Sequence, residues 1–345
     1  MSKIAVIGGG SWGTALTKTL AFKHKNVGLW VWEGDMYGES PLVEIMRISH
    51  QNPKYLPGVQ IPKHVVISSS LEEICSDAEL IVTVVPTQFS RRVFRQMKGI
   101  ASPNAYFCSA SKGMEIKSFK RVTEVLKEEL RIDNNHISVI SGPSHAEEVG
   151  REIPTLVVAA STNKDLAKQV QLTFNNNSYF RVYTSYDVIG VEIAAALKNV
   201  IAIAAGIVDG YIERGILGDN SKAALIERGK VEMTRLGTHL GGEERTFNGL
   251  AGSGDLIVTC YSRHGRNRRV GQLISEGKSL EEINVLLNGM VPEGVETTRA
   301  VYELQRSLPF EMPITEKMHQ ILFEGKSPID AYKEFMARDP KHEIY

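Results

Sequence analysis

The stretch Ile4-Ala5-Val6-Ile7-Gly8-Gly9-Gly10-Ser11-Trp12-Gly13 decides the fold of this chain. Four apolar residues precede a G-x-G-x-x-G turn, and a helical pattern follows it. This order is typical of a dinucleotide site, in which the free N–H groups at the helix start hold the phosphates. We predict that Gly8 allows the tight turn, that Gly10 lets a pyrophosphate approach, and that Gly13 lets the helix pack on the strand.

An acidic residue stands where such a site needs one. Glu33 lies twenty positions after Gly13, directly behind a second apolar run at 27–32. A carboxylate at this point accepts hydrogen bonds from the adenosine ribose. Glycine-rich loops are common, so an ordinary strand-turn-helix is the alternative, but the flanking pattern favours the dinucleotide site.

The composition limits the class of protein. The chain has 345 residues, enough for two domains, and 40 basic residues balance 40 acidic ones. This balance argues against a general attraction to nucleic acid or to an anionic membrane. The three cysteines form no C-x-x-C motif, so neither a disulfide framework nor a cysteine zinc site is indicated. With no signal-peptide pattern after Lys3, we expect a cytoplasmic protein.

Residues 1–186 alternate short β-rich runs with helical patterns. We predict helices near 88–98, 118–130 and 163–174. The β-rich runs lie at 4–7, 27–32, 65–67, 80–85, 105–109, 137–140, 155–160 and 180–183. This alternation predicts a Rossmann-type doubly wound α/β sheet with extra strands, forming a dinucleotide-binding domain.

Residues 187–345 are predicted to form an all-α domain that binds the substrate. It begins with a long apolar segment at 188–208, for which a membrane span must be considered. Glu192 and Lys198 lie inside this segment, and each charge near a bilayer centre costs about 2.5–3.5 kcal/mol. The uncharged part, 200–208, is too short to span a bilayer. We therefore predict a buried core helix and no membrane span.

Polar turns end three successive predicted strands. Pro86 ends the strand at 80–85, Lys112 follows the next strand, and residues 141–146 follow the third. Each turn alone is readily explained as an ordinary loop. Because the carboxyl ends of parallel strands share one sheet edge, the three turns together indicate a single ligand crevice.

Further candidate residues lie in the helical half. Lys198 lies in an alanine-rich helix, where burial would lower the pKa of a lysine towards neutrality and allow it to exchange a proton. It is equally compatible with the sequence that only the stem is buried and the ammonium group reaches water. Asp255 lies in an apolar, glycine-rich context and needs a partner. Arg266 and Asn267 could grip a phosphate or carboxylate, although a solvated basic turn is equally compatible. For His145 we favour a local structural role.

Taken together, these motifs resemble the bacterial-type NAD(P)-dependent sn-glycerol-3-phosphate dehydrogenases. The matching strings occur in family order over nearly the whole chain: 8–15, 111–113, 141–149, 196–199, 252–256, 266–268, 291–294 and 297–298. The resemblance implies reversible reduction of dihydroxyacetone phosphate to sn-glycerol 3-phosphate for glycerophospholipid synthesis. It also implies a Rossmann domain, a helical domain and a homodimer, and it requires no metal.

Residue roles are carried over from the family by position. The resemblance makes Lys198 the proton donor and acceptor, with Asp255 and Lys112 as its catalytic partners. The implied cofactor contacts are Gly8, Gly10, Ser11, Trp12, Gly13, Glu33, Pro86, Lys112, Ala146, Arg266, Val291 and Glu293. The implied substrate contacts are Lys112, Gly142, Ser144, Lys198, Asn199, Asp255, Thr259, Gly265, Arg266 and Asn267.

Two departures from the family pattern matter. Gly265 stands where relatives commonly have serine, so a hydroxyl is lost although a backbone N–H remains. Many bacterial members have a basic pair after the second strand, whereas this chain reads Glu33-Gly34-Asp35. We therefore expect NAD as the preferred cofactor. The alternative is NADP, with Glu33 pointing to solvent and Lys54 or another loop residue binding the 2′-phosphate. The rival functions are another β-hydroxyacid or ketopantoate-type dehydrogenase and a non-catalytic NAD-sensing protein.

Overall fold

The structure is a computed structural model that describes residues 2–287, 292–340 and 342–343. The strands in these ranges are β1 (Lys3–Ile7), β2 (Val27–Trp30), β3 (Met36–Tyr37), β4 (Ser40–Pro41), β5 (Gln51–Asn52), β6 (Leu56–Gln60), β7 (Val66–Ser68), β8 (Ala78–Thr83), β9 (Tyr106–Ser109), β10 (Ile137–Ser141), β11 (Thr155–Ala160) and β12 (Phe180–Ser185). The helices of the first half are α1 (Ser11–Ala21), α2 (Leu42–Ser49), α3 (Leu71–Cys75), α4 (Thr87–Met97), α5 (Val122–Leu130), α6 (Ala146–Gly150) and α7 (Lys164–Phe174).

In the second half, the described residues form helices and the loops that connect them, with no strand after Ser185. Its helices are α8 (Val188–Ile212), α9 (Asp219–His239), α10 (Asp255–Tyr261), α11 (Arg266–Ser275), α12 (Leu280–Leu286), α13 (Glu293–Gln305), α14 (Pro313–Phe323) and α15 (Pro328–Met336). A short π-helical turn at Leu250–Gly254 leads directly into α10. The change from strands to helices falls between Ser185 and Val188.

All eight predicted β-rich runs join one sheet, in the order β12-β11-β10-β9-β8-β1-β2-β7. Neighbouring strands are parallel except for the antiparallel pair β10 and β11. The strand order reverses on either side of β1, which creates a topological switch point between β1 and β8. The predicted fold class, a doubly wound sheet with extra strands followed by a helical half, is confirmed.

Both faces of the sheet are covered. Ile4 and Val6 of β1 pack into one hydrophobic core together with Leu16 of α1. Ala5 and Ile7 point to the opposite core, which includes Phe94 of α4. Helices on both faces explain why β1 is apolar at every position after Lys3.

The glycine-rich turn brings the backbone very close to its neighbours. Gly8 has φ of 131°, a conformation that favours glycine, and a Cβ there would lie 2.7 Å from the carbonyl oxygen of Val84. A Cβ on Gly13 would lie 1.8 Å from the carbonyl oxygen of Gly8, so α1 can sit on β1 only with glycine at this point. Gly10 has open space around its Cβ position.

Two predicted elements have bounds that differ from the prediction, and two hairpins were not predicted. The second strand ends at Trp30, and Trp32 is exposed. The helix expected over 118–130 begins at Val122, because the preceding residues fold back in a bridge between Met114 and Arg121. Two short hairpins, β3–β4 and β5–β6, were not predicted. Strands β3, β4 and β5 have only two residues each and carry no alternation to detect, and β6 contains Pro57 and Gly58, which are unusual inside a strand.

Helix α8 forms the centre of the helical half. Asp187 caps it, since its Oδ1 accepts from the N–H of Gly190 at 2.8 Å. By length and composition α8 could cross a membrane, but its most apolar window is 89% buried against the rest of the protein. Its position in the structure is that of the predicted core helix.

Candidate active site

The polar turns predicted to form one crevice do meet at one sheet edge. Lys112, after β9, donates to the carbonyl oxygen of Gly142, after β10, at 3.3 Å. Ser111 donates to the carbonyl oxygen of Val85, after β8, at 2.6 Å. Helices α8 and α10 close the crevice from the opposite side. Asp255 of α10 accepts hydrogen bonds both from Lys112 and from Lys198 of α8.

At the base of the crevice, one carboxylate lies between two ammonium groups. Lys198 of α8 donates to Oδ1 of Asp255 in a very short contact, and Lys112 donates to Oδ2 at 2.9 Å. The Asp255 side chain is 1% exposed and that of Lys198 is 7% exposed, whereas that of Lys112 is 17% exposed. The three catalytic candidates predicted from the sequence therefore form one contiguous, largely buried cluster.

Thr259, one turn after Asp255, fixes the direction of the hydrogen bonds. Its hydroxyl donates to the carbonyl oxygen of Asp255 at 2.6 Å, so its lone pairs accept from Lys198 at 2.9 Å. An ammonium group has three N–H donors, and two of them are used by Asp255 and Thr259. The third donor of Lys198 remains available for another acceptor.

The cluster shifts the pKa values of its members. Burial lowers the pKa of Lys198 to about 7, although the negative charge of Asp255 acts in the opposite direction. Burial would raise the pKa of Asp255, but the charges of Lys112 and Lys198 outweigh burial and lower it. A lysine with a pKa near neutrality beside a carboxylate with a lowered pKa can exchange a proton at physiological pH.

A second polar group lies beside this cluster. Asn267, in the first turn of α11, donates to Oδ1 of Asn199 at 3.0 Å, and its own Oδ1 accepts from the N–H of Gly294 at 3.0 Å. Asn199 directly follows Lys198 on α8, so these contacts bring three helix segments together. Arg266 is exposed, and within the described part of the chain no hydrogen bond or ion pair holds its guanidinium.

Glu293 connects the two halves of the protein. Its Oε1 accepts from the N–H of Thr87, the first residue of α4, at 3.0 Å. Burial raises the pKa of Glu293 to about 7, against the influence of the Thr87 N–H and the Arg266 charge. Glu293 therefore lies at the crevice beside Arg266, but one of its oxygens is already engaged.

The turn after β1 fits a dinucleotide phosphate group. The first helical hydrogen bond of α1 runs from Thr14 to Gly10, so the N–H groups of Ser11, Trp12 and Gly13 have no partner within α1. The indole Nε1 of Trp12 is buried and has no partner among the described residues. Together with the open space at Gly10, these free donors match the needs of a pyrophosphate.

At the end of β2, the two acidic residues differ in their surroundings. Glu33 is exposed, and its carboxylate makes no hydrogen bond or ion pair with the described residues. Asp35, in contrast, accepts from Lys54 at 2.5 Å and from the Tyr55 hydroxyl at 3.0 Å. Lys54 therefore compensates the charge of Asp35, while the charge of Glu33 stays uncompensated.

The remaining predicted residues occupy supporting positions. Pro86 precedes α4 at the switch point, and Ala146 begins α6. Ser144 donates to the carbonyl oxygen of Gly142 at 2.8 Å, and Gly265 precedes α11. Val291 lies outside the described residues.

Two residues at the site were not among the individual contacts predicted above, although Ser141 belongs to the polar turn predicted at 141–146. Asn52 supports the glycine-rich turn, because its Nδ2 donates to the carbonyl oxygen of Gly9 at 2.7 Å and to the Thr14 hydroxyl at 2.8 Å. Ser141 donates to Asp255 at 3.4 Å. Asn52 stands in a polar segment with no periodic pattern, so only the fold reveals its role.

This arrangement defines the class of protein. A dinucleotide cradle at the switch point of a doubly wound sheet, facing a buried lysine near neutral pKa, is the site of a two-domain nicotinamide-dependent dehydrogenase. The sequence profiles of the NAD-dependent glycerol-3-phosphate dehydrogenase N-terminus and C-terminus match residues 3–167 and 187–333. The chain therefore belongs to the NAD-dependent glycerol-3-phosphate dehydrogenase family.

Individual relatives agree with this assignment. The chain is 46% identical over 345 residues to a glycerol-3-phosphate dehydrogenase [NAD(P)+] of Bacillus cereus strain AH187, covering 100% of this chain and 98% of the relative. The crystal structure of glycerol-3-phosphate dehydrogenase from Coxiella burnetii superposes with a TM-score of 0.90 at 37% identity, covering 98% of this chain and 99% of that one. The predicted family and enzyme class are confirmed.

A more distant likeness concerns the fold alone. A ketopantoate reductase from Ralstonia eutropha superposes with a TM-score of 0.59 at 14% identity, covering 96% of this chain and 99% of that one. The rival dehydrogenase class considered from the sequence thus shares the architecture. The profile matches over both halves separate this chain from it.

Proposed function

We propose that this protein interconverts dihydroxyacetone phosphate and sn-glycerol 3-phosphate with NAD(H), and that Lys198 exchanges the proton. The observation that supports this most strongly is the Lys198–Asp255–Lys112 cluster in the crevice between cofactor cradle and helical half. The wider role, supplying sn-glycerol 3-phosphate for glycerophospholipids in the cytoplasm, follows from the family. A homodimer is likewise our expectation from the family.

The nicotinamide ring of the bound cofactor supplies or accepts the hydride. The free third N–H of Lys198 would donate to the substrate carbonyl oxygen and deliver its proton as the alkoxide forms. Asp255 and Thr259 hold the ammonium in one orientation and keep it charged. Lys112 adds a second positive charge against the developing oxyanion.

Arg266 and Asn267 would bind the substrate phosphate at the start of α11. A guanidinium and the N–H groups of a helix N-terminus both favour a phosphate dianion. A non-catalytic NAD-sensing protein would leave the buried lysine cluster without a role. A ketopantoate-type activity would leave the arginine–asparagine pair without one.

We expect strong discrimination between dihydroxyacetone phosphate and unphosphorylated dihydroxyacetone. Two charge-assisted hydrogen bonds of about 1.5 kcal/mol each give a kcat/KM ratio of at least about 10²-fold in favour of the phosphorylated substrate. The measurement is the decrease of NADH absorbance at 340 nm with each compound.

Arg266→Ala should lower this ratio mainly by raising KM for the phosphorylated substrate. Arg269→Ala is the matched control, because Arg269 lies on the same helix and pairs with Glu276 in an exposed contact. Similar kcat/KM values for the two compounds in the wild type would refute the substrate assignment.

We also expect a preference for NADH over NADPH. A 2′-phosphate near the ribose would meet the uncompensated charge of Glu33, and two like charges ~4 Å apart at an effective dielectric of ~20 repel by up to ~4 kcal/mol. Solvent screening reduces this, and a third of it still gives about a tenfold ratio of kcat/KM. Because Lys54 compensates Asp35, the preference rests on Glu33.

Glu33→Gln should bring the two kcat/KM values together. Glu79→Gln is the control, since Glu79 is exposed on β8 near the amino end of the strand, away from the crevice. Equal use of both cofactors by the wild type, or a preference for NADPH, would show that Glu33 does not face the ribose.

A further inference from the structure

Behind the proposed phosphate site lies a second buried cluster of charges that the reaction itself does not use. Asp209, near the end of α8, accepts from Nε of Arg268 at 2.5 Å, and its other oxygen pairs with Lys222 of α9 at 2.7 Å. Asp209 is 8% exposed and Lys222 is 5% exposed. We call these three residues the Asp209 triad.

The triad joins the helices that carry the site. The ammonium of Lys222 lies 4.1 Å from the ring centre of Tyr261, the last residue of α10. Helix α10 begins with Asp255 and contains Thr259, the two partners of Lys198. Arg268 belongs to α11, directly after Arg266 and Asn267. One buried carboxylate therefore ties α8, α9, α10 and α11 together.

Helices α8 and α11 also pack backbone against backbone next to the triad. A Cβ on Gly206 would lie 1.9 Å from the carbonyl oxygen of Arg268, and a Cβ on Gly271 would lie 2.0 Å from that of Ile203. Helices α8 and α11 are thus in backbone contact at these two glycines, and the Asp209–Arg268 pair adds a charged side-chain contact beside them. The bond from Asp209 to Arg268 fixes where α11 begins along α8.

The triad also lies near the proton-exchanging lysine. The thiol of Cys260 is buried, which raises its pKa to about 12, and the charges of Lys222 and Lys198 both act against that rise. Cys260 therefore lies within the electrostatic influence of both charge clusters, between Thr259, which contacts Lys198, and Tyr261, which contacts Lys222. A small shift at the triad would reach α10 and α11 together.

We propose that Asp209 is a positioning residue that places the first turn of α11, and with it Arg266 and Asn267, against the substrate phosphate. Arg268 and Lys222 act through Asp209 and touch neither substrate nor cofactor. This inference rests on the proposed function, because it names the residue that sets the geometry of the phosphate site.

The test compares wild type, Asp209→Asn and Arg268→Lys with dihydroxyacetone phosphate and with dihydroxyacetone. Displacing binding groups by a fraction of an ångström costs about tenfold or more, so we expect KM for the phosphorylated substrate to rise about tenfold and the ratio of the two kcat/KM values to fall equally. We expect kcat and the NADH dissociation constant to change by less than about threefold, because Lys198 and the cradle keep their own contacts.

Arg269→Lys serves as control, since this neighbouring arginine lies outside the triad. Arg268→Lys keeps the charge but loses the Nε contact, so it decides the matter if Asp209→Asn does not fold. If both variants keep the wild-type ratio, or lose kcat for both substrates alike, Asp209 only stabilises the fold and the inference fails. If the wild type itself shows no preference for the phosphorylated substrate, the proposed function fails instead.

Discussion

Lys198→Ala is expected to lower kcat for dihydroxyacetone phosphate reduction by about 10²–10⁴-fold, the usual contribution of a positioned general acid. Dissociation of NADH should be unchanged, because the cradle is built from α1 and contains no contact to Lys198. Lys198→Arg should fail similarly, since a guanidinium does not release its proton near neutral pH. Steady-state kinetics at 340 nm and a fluorescence titration with NADH measure the two quantities.

Lys168→Ala is the control for this substitution, since Lys168 is exposed on α7. It should retain the wild-type kcat. If Lys198→Ala or Lys198→Arg kept kcat within a few-fold of wild type, another residue would have to be the acid.

Asp255→Asn should reduce both activity and stability. The carboxylate separates two ammonium groups, and removing one partner of a buried ion pair costs about 3–5 kcal/mol. Without the negative charge, the pKa of Lys198 falls below its value of about 7, so less ammonium is present to donate. We expect kcat at pH 7 to fall by at least about 10²-fold and the thermal unfolding midpoint to drop. Both are measured on the same preparation.

Glu232→Gln is the matched control, since Glu232 is also a buried acid. It accepts from the N–H groups of Ile314 and Thr315 at the start of α14 and lies outside the crevice. Its kcat should match the wild type. An Asp255→Asn enzyme with wild-type kcat would mean that Lys198 needs no carboxylate.

Much of the fold followed from local patterns. The glycine spacing in 8–13 identified the turn, and the apolar runs identified all eight strands of the sheet. The hydrophobic pattern also separated the buried helix α8 from a membrane span, because Glu192 and Lys198 interrupt it. These features depend on residues within one element, and so a sequence reveals them.

Other features depend on contacts between distant segments. The pairing of Lys54 with Asp35 and the support of the glycine-rich turn by Asn52 join residues whose sequence neighbourhoods carry no signal. The same holds for the Asp209 triad, whose members lie on three helices. Lys198 could be singled out by its apolar surroundings, and the family resemblance named Asp255, Lys112 and Thr259 as further site residues. The contacts of Lys198 with Asp255 and Thr259 are visible only in the folded chain.

The central claim, that the buried ammonium of Lys198 donates the proton, is tested most directly by the pH dependence of kcat/KM in both directions. This quantity reports groups of the free enzyme. Reduction needs the charged lysine, so its kcat/KM should be high at acidic pH and fall as pH rises through about 7. Oxidation needs the neutral amine, so its kcat/KM should fall as pH drops through the same value. A reduction rate that is flat or rises between pH of about 6 and 9 would contradict the assignment of Lys198.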